Sequence, residues 1–86
     1  MMRLRFTRRF QRAFIRLTDE EAERVRKSLR LLEADLRHPG LRVKKIQGTE
    51  GIWEARAGLA IRLTFQTQED IIILRNVGRH DAVLKR

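Results

Sequence analysis

The sequence predicts an α+β fold in the order β-α-α-β-β-β-β, with a helical hairpin packed on one face of a small, mostly antiparallel sheet. Three observations predict it. Residues 8–36 carry two stretches of helical periodicity, each behind a threonine suited to cap it. After Gly40 the apolar pattern changes to strict alternation, and short glycine or polar breaks separate the alternating segments. The 86 residues are read as a single domain spanning 1–86, since a second core would need more chain.

Leu4 and Phe6 alternate with Arg3 and Arg5, the pattern of a short half-buried strand. Thr7 stands where an N-cap hydroxyl is needed for RRFQRAFIRL, whose Phe10, Ala13, Phe14 and Leu17 share one helical face. Thr18-Asp19-Glu20-Glu21 has the form of a capping box, and its acids sit where a helix N-terminus is positive. Ala22, Val25, Leu29, Leu32 and Leu36 then repeat at helical spacing. His38-Pro39-Gly40 is expected to stop this helix, because proline cannot continue it and glycine supplies the turn.

Beyond Gly40, LRVKKI reads as a short basic strand and Gly48 to Gly51 as a turn. In IWEARA, Trp53, Ala55 and Ala57 oppose Ile52, Glu54 and Arg56. In LAIRLTFQ, Leu59, Ile61, Leu63 and Phe65 oppose Ala60, Arg62, Thr64 and Gln66. After the polar break QTQED, IIILRNV carries apolar residues toward both sides, as an interior strand does. These three segments form an antiparallel meander, and the sheet face away from the helices is left for function.

Charge is the strongest bulk signal. Twenty Lys and Arg against 11 Asp and Glu leave +9, and arginine outnumbers lysine sixteen to four. Six of the acids (Asp19, Glu20, Glu21, Glu23, Glu33 and Asp35) lie within 18–37, so the strands are more basic than the total suggests. Such an excess attracts polyanions, and planar guanidinium groups suit bidentate contact with phosphate. The absence of cysteine excludes disulfides, thiol chemistry and cysteine-ligated zinc. MMRLRFTRRF lacks the apolar stretch of a secretory signal, and no apolar run approaches the roughly 20 residues that span a bilayer. A cytoplasmic protein without membrane association is expected.

On the open face, Arg56 and Arg62 approach one another across strands joined at Gly58. Arg42, Lys44 and Lys45 come from the strand before them, and Arg75 from the strand after. Such a cluster suits a phosphodiester backbone. Cleaving RNA without a metal needs a base for the 2′-OH proton, an acid for the leaving 5′ oxygen, and cations around the phosphorus. His80 has an ordinary pKa near neutrality and follows a strand end, with Asp81 beside it to orient it. From its chemistry alone, a surface histidine is an equal reading. Glu50, Glu54, Glu69, Asp70 and Asp81 are too few and mostly in turns, so neither a metal nor another cofactor is expected. For His38 beside Pro39 a turn role is favoured. Trp53 is in register to lie under the helices, which favours the core over stacking on a base.

The basic N-terminal strand, the hairpin ending in HPGLRVKKIQG, and then GIWEARAGLAIRLTFQ and IIILRNVGRHDAVLKR together resemble the RelE/ParE superfamily of type II toxins. The resemblance is nearest the RelE-like mRNA interferase branch and covers essentially the whole chain. It implies a toxin wrapped by a cognate antitoxin protein, with mRNA and the ribosome as further partners. RelE-like members enter the ribosomal A site and cut mRNA by 2′-OH attack, leaving a 2′,3′-cyclic phosphate. By position, the resemblance implies that Lys44 and Lys45 belong to the basic strand that contacts substrate and assists proton transfer. Arg56 matches the arginine of a W/Y-E-x-R strand and Arg62 that of the next, both holding phosphate. His80 sits where several branches keep a histidine acting as acid or base, followed by Asp81. The implied catalytic set is His80, Arg62, Arg56 and Lys45, with Arg42, Lys44, Arg75 and Asp81 binding substrate. Many members keep a C-terminal tyrosine, whereas this chain has none. The same scaffold serves ParE-like toxins that poison DNA gyrase without catalysis, and a catalytically weak ribosome- or nucleic-acid-binding module is a third alternative.

Overall fold

Residues 2–79 are described by a computed structural model. Among them the elements run β1 (Arg3–Phe6), α1 (Arg8–Ile15), α2 (Asp19–Ala34), a 3-10 turn (Pro39–Leu41), β2 (Lys44–Lys45), β3 (Trp53–Ala57), β4 (Ile61–Gln68) and β5 (Ile71–Arg79). The sheet order is β1-β5-β4-β3-β2. β1 runs parallel to β5, and every other pair is antiparallel. α1 packs on β5 and α2 on β3 and β4, so the two helices cover one face. Beneath them Phe10, Val25 and Leu32 meet Ala55, Leu63, Phe65, Ile72, Leu74 and Val77, all buried. Burying each large side chain stabilises the fold by about 1.5–3 kcal/mol.

Both helix starts form as their sequences require. Thr7 accepts the Phe10 N–H, and its hydroxyl donates to the Leu74 carbonyl at 2.8 Å, with the Arg75 carbonyl at 3.2 Å. The cap of α1 is therefore bonded to β5 as well. Thr18 and Glu21 complete a reciprocal capping box at α2. The Thr18 N–H donated to Glu21 holds that carboxyl below its ordinary value; the Thr18 hydroxyl, Arg79 and Arg24 add to this, and desolvation opposes it. Within the stripe of α2 the small polar Ser28 is buried, because its hydroxyl donates to the Arg56 carbonyl of β3.

Three element boundaries differ from the sequence expectation. α2 ends at Ala34, before His38-Pro39-Gly40, because Asp35 turns extended and its carboxylate accepts the Arg37 N–H. Leu36 is therefore past the helix. LRVKKI is not one strand: Leu41 ends the 3-10 turn, Arg42 is left-handed at φ 47°, and only Lys44–Lys45 pair with β3. Leu59, expected on the apolar face of its strand, sits in the β3–β4 turn and is 90% exposed.

β5 lies between β1 and β4, as its apolar character predicts, but its alternation is interrupted. Thr64 faces Asn76 while Phe65 faces Leu74, so Arg75 is the extra residue of a bulge. The bulge lets Leu74 and Val77 both face the core. No helix among the described residues is long and apolar enough to cross a membrane.

Thr7→Ala removes a cap and a tie to β5, and should lower unfolding free energy by about 1–2 kcal/mol in urea titrations, with Thr7→Ser retaining most of it. Glu21 has a depressed folded pKa, so its contribution is full above the ordinary carboxylate pKa and is lost as pH falls through the folded value. Glu21→Gln should accordingly flatten the acid limb of the urea midpoint plotted against pH.

Candidate functional site

Because side chains alternate along each strand, the cross-strand pairs sort the polar groups by face. Ala55, Leu63 and Val77 form one row beneath the helices. On the opposite face Lys44, Glu54, Thr64 and Asn76 form one row, and Arg56, Arg62 and Gly78 another. Arg5, Ile73 and Gln66 make a third, toward β1.

Arg56 and Arg62 are direct partners across β3 and β4, as the sequence predicts. Like charges set opposite one another repel, so the pair creates a local demand for an anion. Arg62 meets part of it internally. It is only 7% exposed, and its Nη1 donates to the carbonyls of Leu59 and Ile61 at 3.0 and 3.1 Å. These bonds fix the guanidinium at the β3–β4 turn, while Gly78 on its other flank adds no side chain. Arg56 is half-buried and makes no ion pair among the described residues.

Arg75 reaches the same face through the bulge, and its Nη1 donates to Gln66 Oε1 at 2.6 Å. Arg5 stands on this face at the β1 edge and was absent from the sequence-predicted set. Its membership depends on the parallel pairing of β1 with β5, which has no local signature. Glu54 is the other residue missed. It is 3% exposed, with Oε1 held 3.3 Å from Lys44 Nζ and Oε2 buried without a hydrogen-bond partner. The face is therefore not an open cationic plane: Glu54, Arg62 and Thr64 form a buried polar centre ringed by more exposed cations.

Of the remaining predicted cations among the described residues, the structure brings only Lys44 to that face. Lys44 pairs with Glu54 and Lys45 with Trp53, so the two lysines point to opposite sides of β2. Arg42, turned by its left-handed backbone, lines a cavity with Trp53 and Phe65 on the helix side. His80 and Asp81 lie outside the described residues. Trp53 is half-buried against the core, and His38 caps the 3-10 turn by accepting the Gly40 N–H at its Nδ1.

No protein-family profile matches the sequence, and no curated protein matches it either. The solved structures do. YafQ from E. coli strain BL21(DE3) superposes with a TM-score of 0.77 at 12% identity, covering 96% of this chain and 98% of that one. A chain of the archaeal RelE–RelB complex from Pyrococcus horikoshii OT3 gives 0.75 at 18% identity, covering 91% and 93%. A chain of the intact E. coli RelBE toxin–antitoxin complex gives 0.72 at 20% identity, covering 92% and 96%. This is the RelE-like toxin fold. The three superpositions cover 91–96% of this chain, so the helical layer and the sheet both belong to the shared fold.

The RelE-like sheet here carries a buried carboxylate balanced by one exposed lysine, and removing either partner should have unequal effects. Lys44→Gln should cost about 1 kcal/mol in urea unfolding, because Glu54 stays buried and loses its counter-charge. Glu54→Gln should cost less or stabilise; the reverse order would show that Lys44 does not neutralise Glu54.

Proposed function

We propose that this chain is the toxin of a type II toxin–antitoxin pair and acts in the cytoplasm as a metal-independent endoribonuclease on mRNA, working on the ribosome. The observation that carries the reading is the Arg56–Arg62 pair, set side by side on the face of a RelE-like sheet opposite the helices. Two guanidinium groups there supply the planar donors that a scissile phosphate needs as charge builds on its oxygens. Arg62 is positioned by the carbonyls of Leu59 and Ile61 and so is organised before substrate arrives. Arg75, held by Gln66, and Lys44 extend the positive field along the same face.

In this reading His80 exchanges the proton, either from the 2′-OH or to the 5′ oxygen, and Asp81 orients its ring. Attack of the 2′ oxygen on phosphorus displaces the 5′ oxygen and leaves a 2′,3′-cyclic phosphate. Lys45 and Arg42, on the other side of β2, take no part at the scissile phosphate and bind flanking RNA instead. Solved relatives are complexes of RelE with RelB and of YafQ with DinJ, which supports a cognate antitoxin for this chain as well. An acidic amphipathic segment matches its +9 charge.

Induction of the chain should create new mRNA 5′ ends within translated frames, read by primer extension. Arg56→Ala and His80→Ala should each reduce cleavage by about 100-fold or more, while circular dichroism stays unchanged. Full cleavage by both variants would remove these roles. Intact mRNA with a DNA-damage response would instead assign the chain to gyrase poisoning.

A further inference from the structure

Cations missing from the arginine-bearing face gather at a second place. α2 ends at Ala34, so the helical layer stops before the sheet does. Beside the helix-side residues of β3 and β4 lies a cavity of about 490 Å3. The accessible indole of Trp53 forms its floor, with fully buried Phe65 behind it and Val43 beside it, and Arg37, His38 and Arg42 stand at its rim. This volume falls in the range of roughly 300–1,000 Å3 usual for small-ligand sites.

The rim is built for an anion. Neither Arg37 nor Arg42 has an acidic partner among the described residues. The Nδ1 of His38 accepts the Gly40 N–H at 3.0 Å, so in the neutral ring Nε2 carries the hydrogen and serves as a donor. Lys45 pairs with Trp53 and lies on the same side, while Lys44 lies on the side of Arg56 and Arg62. Positive charge therefore passes from the cavity around the two-residue edge strand to the other face.

We propose that this cavity holds one nucleotide of a single-stranded RNA, with its base against the indole of Trp53 and its flanking phosphates on Arg37 and Arg42. Aromatic floors accept any base by stacking, and unpaired guanidinium groups bind the backbone. An acidic peptide would satisfy the rim equally well. The cationic track across β2 favours a polyanion long enough to reach both faces, and RNA has a phosphate at every step. The identity of that RNA as a cleavage substrate rests on the ribonuclease reading; nucleotide binding does not.

Trp53 is the single tryptophan, so its fluorescence reports on the cavity directly. Titration of the purified chain with AMP, GMP, CMP and UMP should give saturable quenching, with affinity falling as salt rises. Arg37→Gln and Arg42→Gln should each weaken binding by about tenfold, with unchanged emission in the free protein. Lys27→Gln, on the exposed side of α2, should leave it unchanged. Quenching that does not saturate, that adenosine reproduces without its phosphate, or that Lys27→Gln weakens equally would overturn the assignment. So would saturation by an acidic phenylalanine-containing peptide with no response to nucleotides, which would give the cavity to a protein partner. Cleavage of mRNA is scored separately. Nucleotide binding without cleavage leaves this site standing and removes the ribonuclease; cleavage without nucleotide binding does the reverse.

Discussion

The hydroxyl of Thr7 joins the two halves of this fold. It accepts the Phe10 N–H in the first turn of α1 and donates to the Leu74 carbonyl, 67 residues later, while the Thr7 N–H bonds the same carbonyl. β1 is thereby locked parallel to β5, and α1 starts directly over the strand it covers. The tie falls where β5 bulges. Without the extra residue, Val77 would leave the core and Asn76 would enter it. With it, Leu63 meets Val77 and Gly78 meets Arg62. One local connection thus sets the phase of the strand that borders the arginine pair.

The pleat that the bulge preserves also governs the electrostatics. Adjacent residues of a strand face opposite ways, so Lys44–Lys45 divides its charge between two surfaces. The Arg56–Arg62 pair is held against its own repulsion by carbonyls on one side and by buried Glu54 two residues along β3. A buried carboxylate among arginines lowers the local positive field, while Lys44 keeps it from being an unopposed charge. The result is a polar centre shielded from water beneath a rim of cations.

Much of the fold was legible because its signals are local. A threonine at a cap, a four-residue capping box and strict alternation in Ile61, Leu63 and Phe65 each act over a few residues. The Arg56–Arg62 pairing was legible for the same reason, since a short turn at Gly58 leaves little freedom in register. Arg5 and the inward burial of Glu54 were not, because both depend on pairings or packing with distant residues. The early end of α2 was missed for another reason. A proline marks where a helix cannot go on, but Asp35 can end it sooner by offering its carboxylate to the next turn.

The sequence by itself determined the two helices, the strands β1, β3, β4 and β5, the apolar face of Ile61, Leu63 and Phe65, the strongly basic balance and the arginine pair at the β3–β4 turn. Each follows from spacing along the chain and from charge, which need no partner to be read. The tertiary structure alone decided which strand β1 joins, where β5 bulges, which face receives each cation, and that a cavity opens beyond α2 over Trp53. These depend on contacts between segments tens of residues apart, where register and backbone handedness, rather than residue type, direct each side chain.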